Sequence, residues 1–300
     1  MIFFRRFTPE DKEYYEKILF ASDERGCEYS FANLYLGGRQ TFAEIGGCIV
    51  FFSQFNRRTV YPFPIGNGDK KAALDANIND AAERGITCRI TGITEGDKEL
   101  LVSLYGDRFN IHSDRDSHDY VYETASLANL EGKKYRKKRG HLNNFREAYP
   151  EYSLRELTDE NTEDALALLD SWYATRDEDE DFMMERCAIN KAIRDRDKLG
   201  LEILLLYVEE KPCAMSVVSI FTPDTADVHF EKALTEYPGA YAAINAETAA
   251  YIARKYEGIT FIDREEDMGI EGLRKAKLSY YPHHMVEKWW AHLSEDDYDY

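Results

Sequence analysis

One order of elements, read twice along the chain, constrains the fold more than anything else in this sequence. In the first half, residues 2–7 read as a strand and Thr8-Pro9-Glu10-Asp11 opens a helix to about Ala21. The threonine caps it, the proline sits in its first turn, and two acids lie where the helix dipole favours them. A short helix over 30–35 stops at Gly37-Gly38. Strands over 42–45, 48–53 and 57–61 follow, closed by Pro62 and Pro64. An alanine-rich helix over 69–84, a strand over 86–91, a helix over 95–105 and a strand over 108–112 complete the half. The second half runs through a strand over 152–157, a helix to about 176, an acidic turn at 177–181 and a helix to 198. Strands over 201–208, 213–221 and 226–233, a helix over 241–256, a strand over 259–263, a further helix and a last strand over 283–290 finish it. Both halves have the order β-α-α-β-β-β-α-β-α-β. Gly85-Ile86-Thr87 and Gly258-Ile259-Thr260 each open the fifth strand, which points to an ancient duplication. The expectation is an α/β chain with mixed sheets in two domains, 1–130 and 151–300, joined by a basic helix over 131–150.

Charge narrows the partners. A net charge of −18 opposes wholesale binding to nucleic acid or to an anionic membrane, so a polyanion must meet a local patch. Cys27, Cys48, Cys88, Cys187 and Cys213 are scattered with no Cys-x-x-Cys pair, which suits reduced thiols in a cytoplasmic compartment, with no disulfide and no zinc. The N-terminal apolar run is too short for a signal peptide, and no 18-residue apolar stretch exists, so no membrane span is expected. The tail over 294–300 is acidic and reads as loose.

The local patch is the segment 131–146. It carries seven basic residues against Glu131 and Glu147, and Tyr135, Leu142, Phe145 and Tyr149 fall on one helical stripe. Lys138 lies beside that stripe and should point toward the protein body. Two readings stay open: a solvated helix bridging two domains, or a landing strip for the phosphates of a nucleic acid or phospholipid head group.

A second unusual stretch runs from Asp263 to Pro282. An acidic turn, Glu265-Glu266-Asp267, should sit where a strand ends and a helix begins, and Ile270, Leu273, Lys277 and Tyr280 share one side of that helix with Arg274 on its flank. Burying an unpaired ammonium is costly, so Lys277 should reach the carboxylates of the turn or the charge of a ligand. A structural salt-bridge knot is the alternative. His229, between Val228 and Phe230, reads as a satisfied core histidine. His283 and His284, adjacent in a strand, would point to opposite faces and are not read as a ligand pair. No Gly-x-Ser-x-Gly elbow and no Walker loop is present.

The doubled element order resembles the fold of the Gcn5-related N-acyltransferases, in tandem. In that superfamily an acyl donor lies between the splayed fourth and fifth strands, with its phosphates near the next helix N-terminus, here Pro238-Gly239-Ala240-Tyr241. The motif Arg264-Glu265-Glu266-Asp267-x-Gly269-x-x-Gly272-Leu273-Arg274-x-Ala276-Lys277-x-Ser279-Tyr280-x-Pro282, with Gly132-Lys133-Lys134 and Lys138-Arg139, resembles a bacterial family related to the C-terminal domain of phosphatidylglycerol lysyltransferases. The resemblance covers essentially the whole chain. It implies an acyl- or aminoacyltransferase, with aminoacyl-tRNA as co-substrate and the tRNA facing Lys133, Lys134, Lys137, Lys138 and Arg139. The acceptor, a small molecule or a lipid, stays open. Departures from the family are the missing membrane-spanning part and the acidic net charge, which weigh against lysine transfer to phosphatidylglycerol. Neither half carries the Arg/Gln-x-x-Gly-x-Gly/Ala loop of typical coenzyme A users, which weighs against acetyl-CoA.

For transfer, the candidates are Glu266 or Asp267 as base, Lys277 or Arg264 as electrostatic stabiliser and Tyr280 as proton donor, with Glu265, Arg274, Asn245 and Gly239 about the substrate. On this reading Lys277→Ala should abolish transfer and leave thermal unfolding nearly unchanged. The alternatives are an acyl-CoA-dependent N-acetyltransferase and a non-catalytic anion-binding module on the same scaffold.

Overall fold

Two mixed sheets of seven strands carry the chain in a computed structural model that describes residues 1–22, 24–55, 58–175 and 180–293. In chain order the first elements are β1 (Arg5–Arg6), α1 (Lys12–Ser22), α2 (Phe31–Gly37), β2 (Thr41–Ile45), β3 (Cys48–Phe55), β4 (Arg58–Pro62), α3 (Lys70–Arg84), β5 (Arg89–Ile93), α4 (Glu95–Tyr105) and β6 (Phe109–Ser113). Then come β7 (Asp119–Glu123), α5 (Thr124–Asn129) and α6 (Arg136–Ala148). The second series is β8 (Ser153–Glu156), α7 (Thr162–Tyr173), α8 (Glu180–Leu199), β9 (Glu202–Val208), β10 (Lys211–Thr222), β11 (Thr225–Ala233), α9 (Ala240–Lys255), β12 (Phe261–Asp263), α10 (Glu271–Leu278), β13 (His284–Val286) and β14 (Trp289–Leu293). The expected order therefore recurs in both halves.

Local chemistry explains the boundaries. Asp69 caps α3 by accepting from Ala72 N at 2.9 Å, and Gly85 ends it with φ 67°, a left-handed conformation that glycine adopts without a Cβ clash. Because Gly85 serves that stop, β5 begins at Arg89 rather than Ile86. Likewise β12 begins at Phe261, after Gly258 turns the chain at φ 115°.

Strand order is β1-β2-β3-β4-β5-β14-β6 in the first sheet and β13-β7-β12-β11-β10-β9-β8 in the second. The compact units consequently depart from the contiguous boundaries 1–130, 131–150 and 151–300. One unit comprises Met1–Asp119, Glu266–Gly269 and the chain from Met285 onward; the other comprises Tyr120–Glu265 and Ile270–His284. The single last strand expected over 283–290 is two strands in different sheets. β14 inserts between β5 and β6, where Ala291 is buried in a core with Tyr61, Phe63, Leu74, Ile90 and Leu101. His283 precedes β13, so strand alternation does not govern the histidine pair, and the two Nδ1 atoms lie 2.9 Å apart. The acidic turn at 177–181 falls largely, and the tail at 294–300 wholly, outside the described residues.

The basic segment is not a free connector. α6 belongs to the second unit and packs on α9, burying Tyr135, Leu142 and Phe145. Each such apolar side chain contributes about 1.5–3 kcal/mol on burial, which outweighs the gain from leaving a short helix solvated. The alanine face of α9 (Ala242, Ala243, Ala246 and Ala249, all buried) lets its neighbours come close, and α5, an element the sequence reading omitted, packs on the same helix. Among the described residues no helix is long and apolar enough to cross a membrane.

Candidate active site

In the second unit β11 and β12 run parallel through three pairs, Thr225↔Phe261, Ala226↔Ile262 and Asp227↔Asp263, after which β12 ends and β11 continues to Ala233. Where the backbone ladder stops, side chains take over. Glu231 on β11 is bonded to Arg264, the first residue beyond β12, and their side chains are 9% and 15% exposed. From α9, Asn245 Nδ2 donates to Glu231 Oε1 at 3.3 Å. Burial alone would pull the Arg264 guanidinium down, but Glu231 more than offsets it and holds the group charged.

Two polar atoms of this cluster are buried without a hydrogen-bond partner among the described residues: Arg264 Nη1, a donor, and Asn245 Oδ1, an acceptor. Arg264 lies 5.1 Å from the Tyr280 ring centre, and Lys138 Nζ lies 4.1 Å from the same centre. Burial first, and then the charges of Arg264 and Lys137, lower the Lys138 ammonium from its ordinary 10.5 to about 8. Among the described residues it has no carboxylate partner, an unusual state for a lysine in so acidic a chain. Burial raises the Tyr280 phenol to about 12, with Arg264 opposing and Glu231 reinforcing the shift, so it remains a proton donor near neutrality.

Lys277 also turns inward. Its side chain is buried, and Nζ donates to the carbonyls of Arg264 at 2.5 Å and Glu265 at 3.1 Å. It thereby fixes the backbone that presents Arg264. Glu265, at φ 57°, is held further by its N–H to Asp263 Oδ1 at 2.7 Å and by Tyr120 N to its carbonyl at 3.2 Å. Its carboxylate meets His229 Nδ1 at 3.1 Å. Ile270, expected on the packing side of α10, is 53% exposed because it only caps the helix. Arg274 is half-buried on α10.

Glu266 and Asp267 belong to the first unit. The Cys27 thiol donates to Glu266 Oε2 at 3.0 Å, while Asp267, fully buried, accepts from Gly269 N at 2.9 Å and faces Arg115 Nη1 at 3.4 Å. Lys288 Nζ sits in the same cluster, 2.6 Å from Glu28 and 2.8 Å from Asp119. Burial alone would lower it, but these charges hold it well above its ordinary value. The structure thus groups Arg264, Tyr280, Lys138 and Asn245, and engages Glu266 and Asp267 in contacts of the other unit.

In the turn before α6 and on the helix itself, Lys133, Lys134 and Lys137 are exposed and, with Arg136, Gly140, His141 and Asn144, line an open depression of about 480 Å³. Arg139 is otherwise occupied: Nη1 donates to the carbonyls of Leu130 at 2.5 Å and Gly132 at 3.0 Å, closing the turn after α5. Gly239 serves close packing. It precedes α9 at φ 91°, and a Cβ there would stand 2.6 Å from the His141 carbonyl oxygen of α6. Sequence reasoning missed Glu231. Its signal was the run of polar residues Asp227, His229 and Glu231 in a strand otherwise suited to burial.

A crystal structure of a conserved protein of unknown function from Bacteroides thetaiotaomicron superposes with TM-score 0.92 at 37% identity, covering 98% of this chain and 100% of that one. The structure of L-PGS from Bacillus licheniformis superposes with TM-score 0.68 at 15% identity, covering 96% and 93%. The two halves of the chain repeat one order of elements, the fold of tandem Gcn5-related acyltransferases. An uncharacterized protein of Mycoplasmoides gallisepticum is 28% identical over 177 residues, 58% of this chain and 55% of that protein, so the match spans about half of that relative's length. The sequence profile of phosphatidylglycerol lysyltransferase C-terminal domains matches residues 20–292, and this chain belongs to that family.

Proposed function

We propose that the second unit transfers an aminoacyl group from a charged tRNA, held on α6, to a nucleophilic acceptor. The observation that carries this reading is Lys138: an amine of lowered proton affinity, on the helix that bears the exposed cations, set over Tyr280 and beside a buried guanidinium with a spare N–H.

The chemistry follows from those groups. The acceptor's oxygen or nitrogen attacks the ester carbonyl while Lys138 takes its proton. Arg264 Nη1–H and the Tyr280 hydroxyl donate to the oxyanion. Collapse breaks the bond to the terminal ribose oxygen, which recovers the proton from the Lys138 ammonium. General acid–base participation is worth roughly 10²–10⁴ in rate, and one well-aimed oxyanion donor about 10²–10³. Asn245 Oδ1 and the Glu231 carboxylate offer acceptors to the free α-ammonium that distinguishes an aminoacyl from a plain acyl group. Exposed Lys133, Lys134 and Lys137 supply the phosphate contacts in a chain that otherwise repels RNA. The contact of Gly239 with α6 supports a donor other than a coenzyme A ester, since it closes over the helix end where such a donor's phosphates lie.

Total tRNA charged with a labelled amino-acid mixture tests the reading, with membrane lipids and soluble amines as acceptors. Expected is protein-dependent movement of label off the tRNA, slowed roughly 10²–10³-fold in Arg264→Gln. Charged tRNA that binds but is consumed no faster than in the blank leaves an anion-binding module and refutes transfer.

A further inference from the structure

We propose that Asp227, His229 and Glu265 form a binding site for one first-row divalent metal ion at the point where β11 and β12 separate. The three donor atoms lie within 4.8 Å of one another. His229 Nδ1 stands between the carboxylates, 3.1 Å from Glu265 Oε1 and 3.5 Å from Asp227 Oδ2. A charge-assisted N–H···O bond is usually about 2.7–2.9 Å, so both separations are long for hydrogen bonds of that kind. Bonds of roughly 2.0–2.1 Å at angles between octahedral and tetrahedral put neighbouring ligand atoms about 2.9–3.4 Å apart; the 3.1 Å separation lies inside that range and the 3.5 Å one just beyond it, so an ion would draw Asp227 in slightly.

The back of the imidazole is arranged accordingly. Nε2 lies 2.9 Å from Ser219 Oγ on β10, a partner that can accept its proton and leave the Nδ1 lone pair directed at the carboxylates. Ligating histidines characteristically anchor their second nitrogen in this way. Burial grades outward along the set: the His229 and Asp227 side chains are fully buried, whereas that of Glu265 is 21% exposed. An ion therefore has two ligands fixed within the unit and one at an opening where water can complete its shell. Asp227 is the last residue of β11 paired to β12, and the Glu265 backbone is tied down by Lys277, Tyr120 and Asp263, so all three ligands come from rigidly held chain. One imidazole with two carboxylates suits Zn²⁺ or Mn²⁺ rather than a thiol-seeking ion. The comparable Cys27–Asp119–Glu266 cluster of the first unit differs, because the Lys288 ammonium lies within it, 2.8 Å from Asp119.

Untagged full-length protein, stripped with a chelator, is titrated with Zn²⁺ and with Mn²⁺ by calorimetry, with thermal unfolding in parallel. Expected is uptake of one equivalent of at least one of the two ions with a rise in Tm. Glu265→Gln and His229→Gln should each weaken uptake at least about a hundredfold, Ser219→Ala by roughly ten- to a hundredfold, and Cys27→Ala not at all. Glu265→Gln, at the exposed end, decides the matter if His229→Gln fails to fold. The proposal is overturned by the absence of stoichiometric uptake of both ions up to about 1 mM, by uptake insensitive to Glu265→Gln, or by uptake lost in Cys27→Ala. None of these outcomes depends on the transfer reaction.

Discussion

Replacing Lys138 with methionine separates a working amine from a structural anchor. The fall from 10.5 to about 8 would correspond to at most about 3.4 kcal/mol for a fully shielded amine, and solvent screening of this half-buried group reduces it to about 1–2 kcal/mol. Methionine keeps the stem packing and exchanges a cation–π contact for a sulfur–ring contact of similar size, each about 0.5–1.5 kcal/mol. Lys138→Met should therefore raise stability at pH 7 by about 1 kcal/mol, roughly 2–4 °C in Tm, while abolishing transfer. The pH dependence carries a definite sign. A lysine whose folded value lies below its unfolded value releases its proton first in the folded state, so wild-type stability grows as pH rises from about 8 toward 10.5. The gap between wild type and Lys138→Met should be constant below pH 8 and close above it. Thermal unfolding of both proteins by circular dichroism between pH 6 and 10.5 measures it. A variant that is less stable at pH 7, or a gap that ignores pH, refutes the idea that the ammonium is held at a cost to stability.

Three further outcomes follow from the contacts. Lys277→Ala should lower stability by about 2–4 kcal/mol in a denaturant titration, because two carbonyls lose a buried ammonium; unchanged stability would restore the sequence-based view of Lys277 as a purely catalytic group. Gly239→Ala places a methyl 2.6 Å from a backbone oxygen and forces φ 91° on a residue with a Cβ, so it should destabilise by about 1–3 kcal/mol, read from chemical unfolding. Neutralising Lys133, Lys134 and Lys137 to glutamine should flatten the dependence of log K on log salt for tRNA by roughly two to three, and a slope equal to that of wild type would remove α6 from the interface.

Much of the scaffold was legible because periodicity and punctuation are local. Asp69 and Gly85 bound α3, Gly46-Gly47 turns β2 into β3, and Tyr135, Leu142 and Phe145 mark the buried stripe of α6. The motif from Arg264 to Pro282 is contiguous and so visible in the sequence, and the inward reach of Lys138 could be read from the helical wheel. Neighbouring residues in that motif nonetheless take different tasks: Arg264 presents a spare N–H, Glu265 meets a histidine, and Glu266 and Asp267 serve contacts of the other unit.

The sequence alone determined most element types, their doubled order, the amphipathic basic helix and the family, since each rests on residues close together in the chain or on a contiguous pattern. Tertiary structure decided which sheet received each of the last strands, that Lys277 serves the backbone, and that Glu231, from a strand more than thirty residues away, would hold Arg264. Strand partnership and the proton affinity of a buried group are set by what lies opposite in space, and no local pattern of residue types encodes that distance.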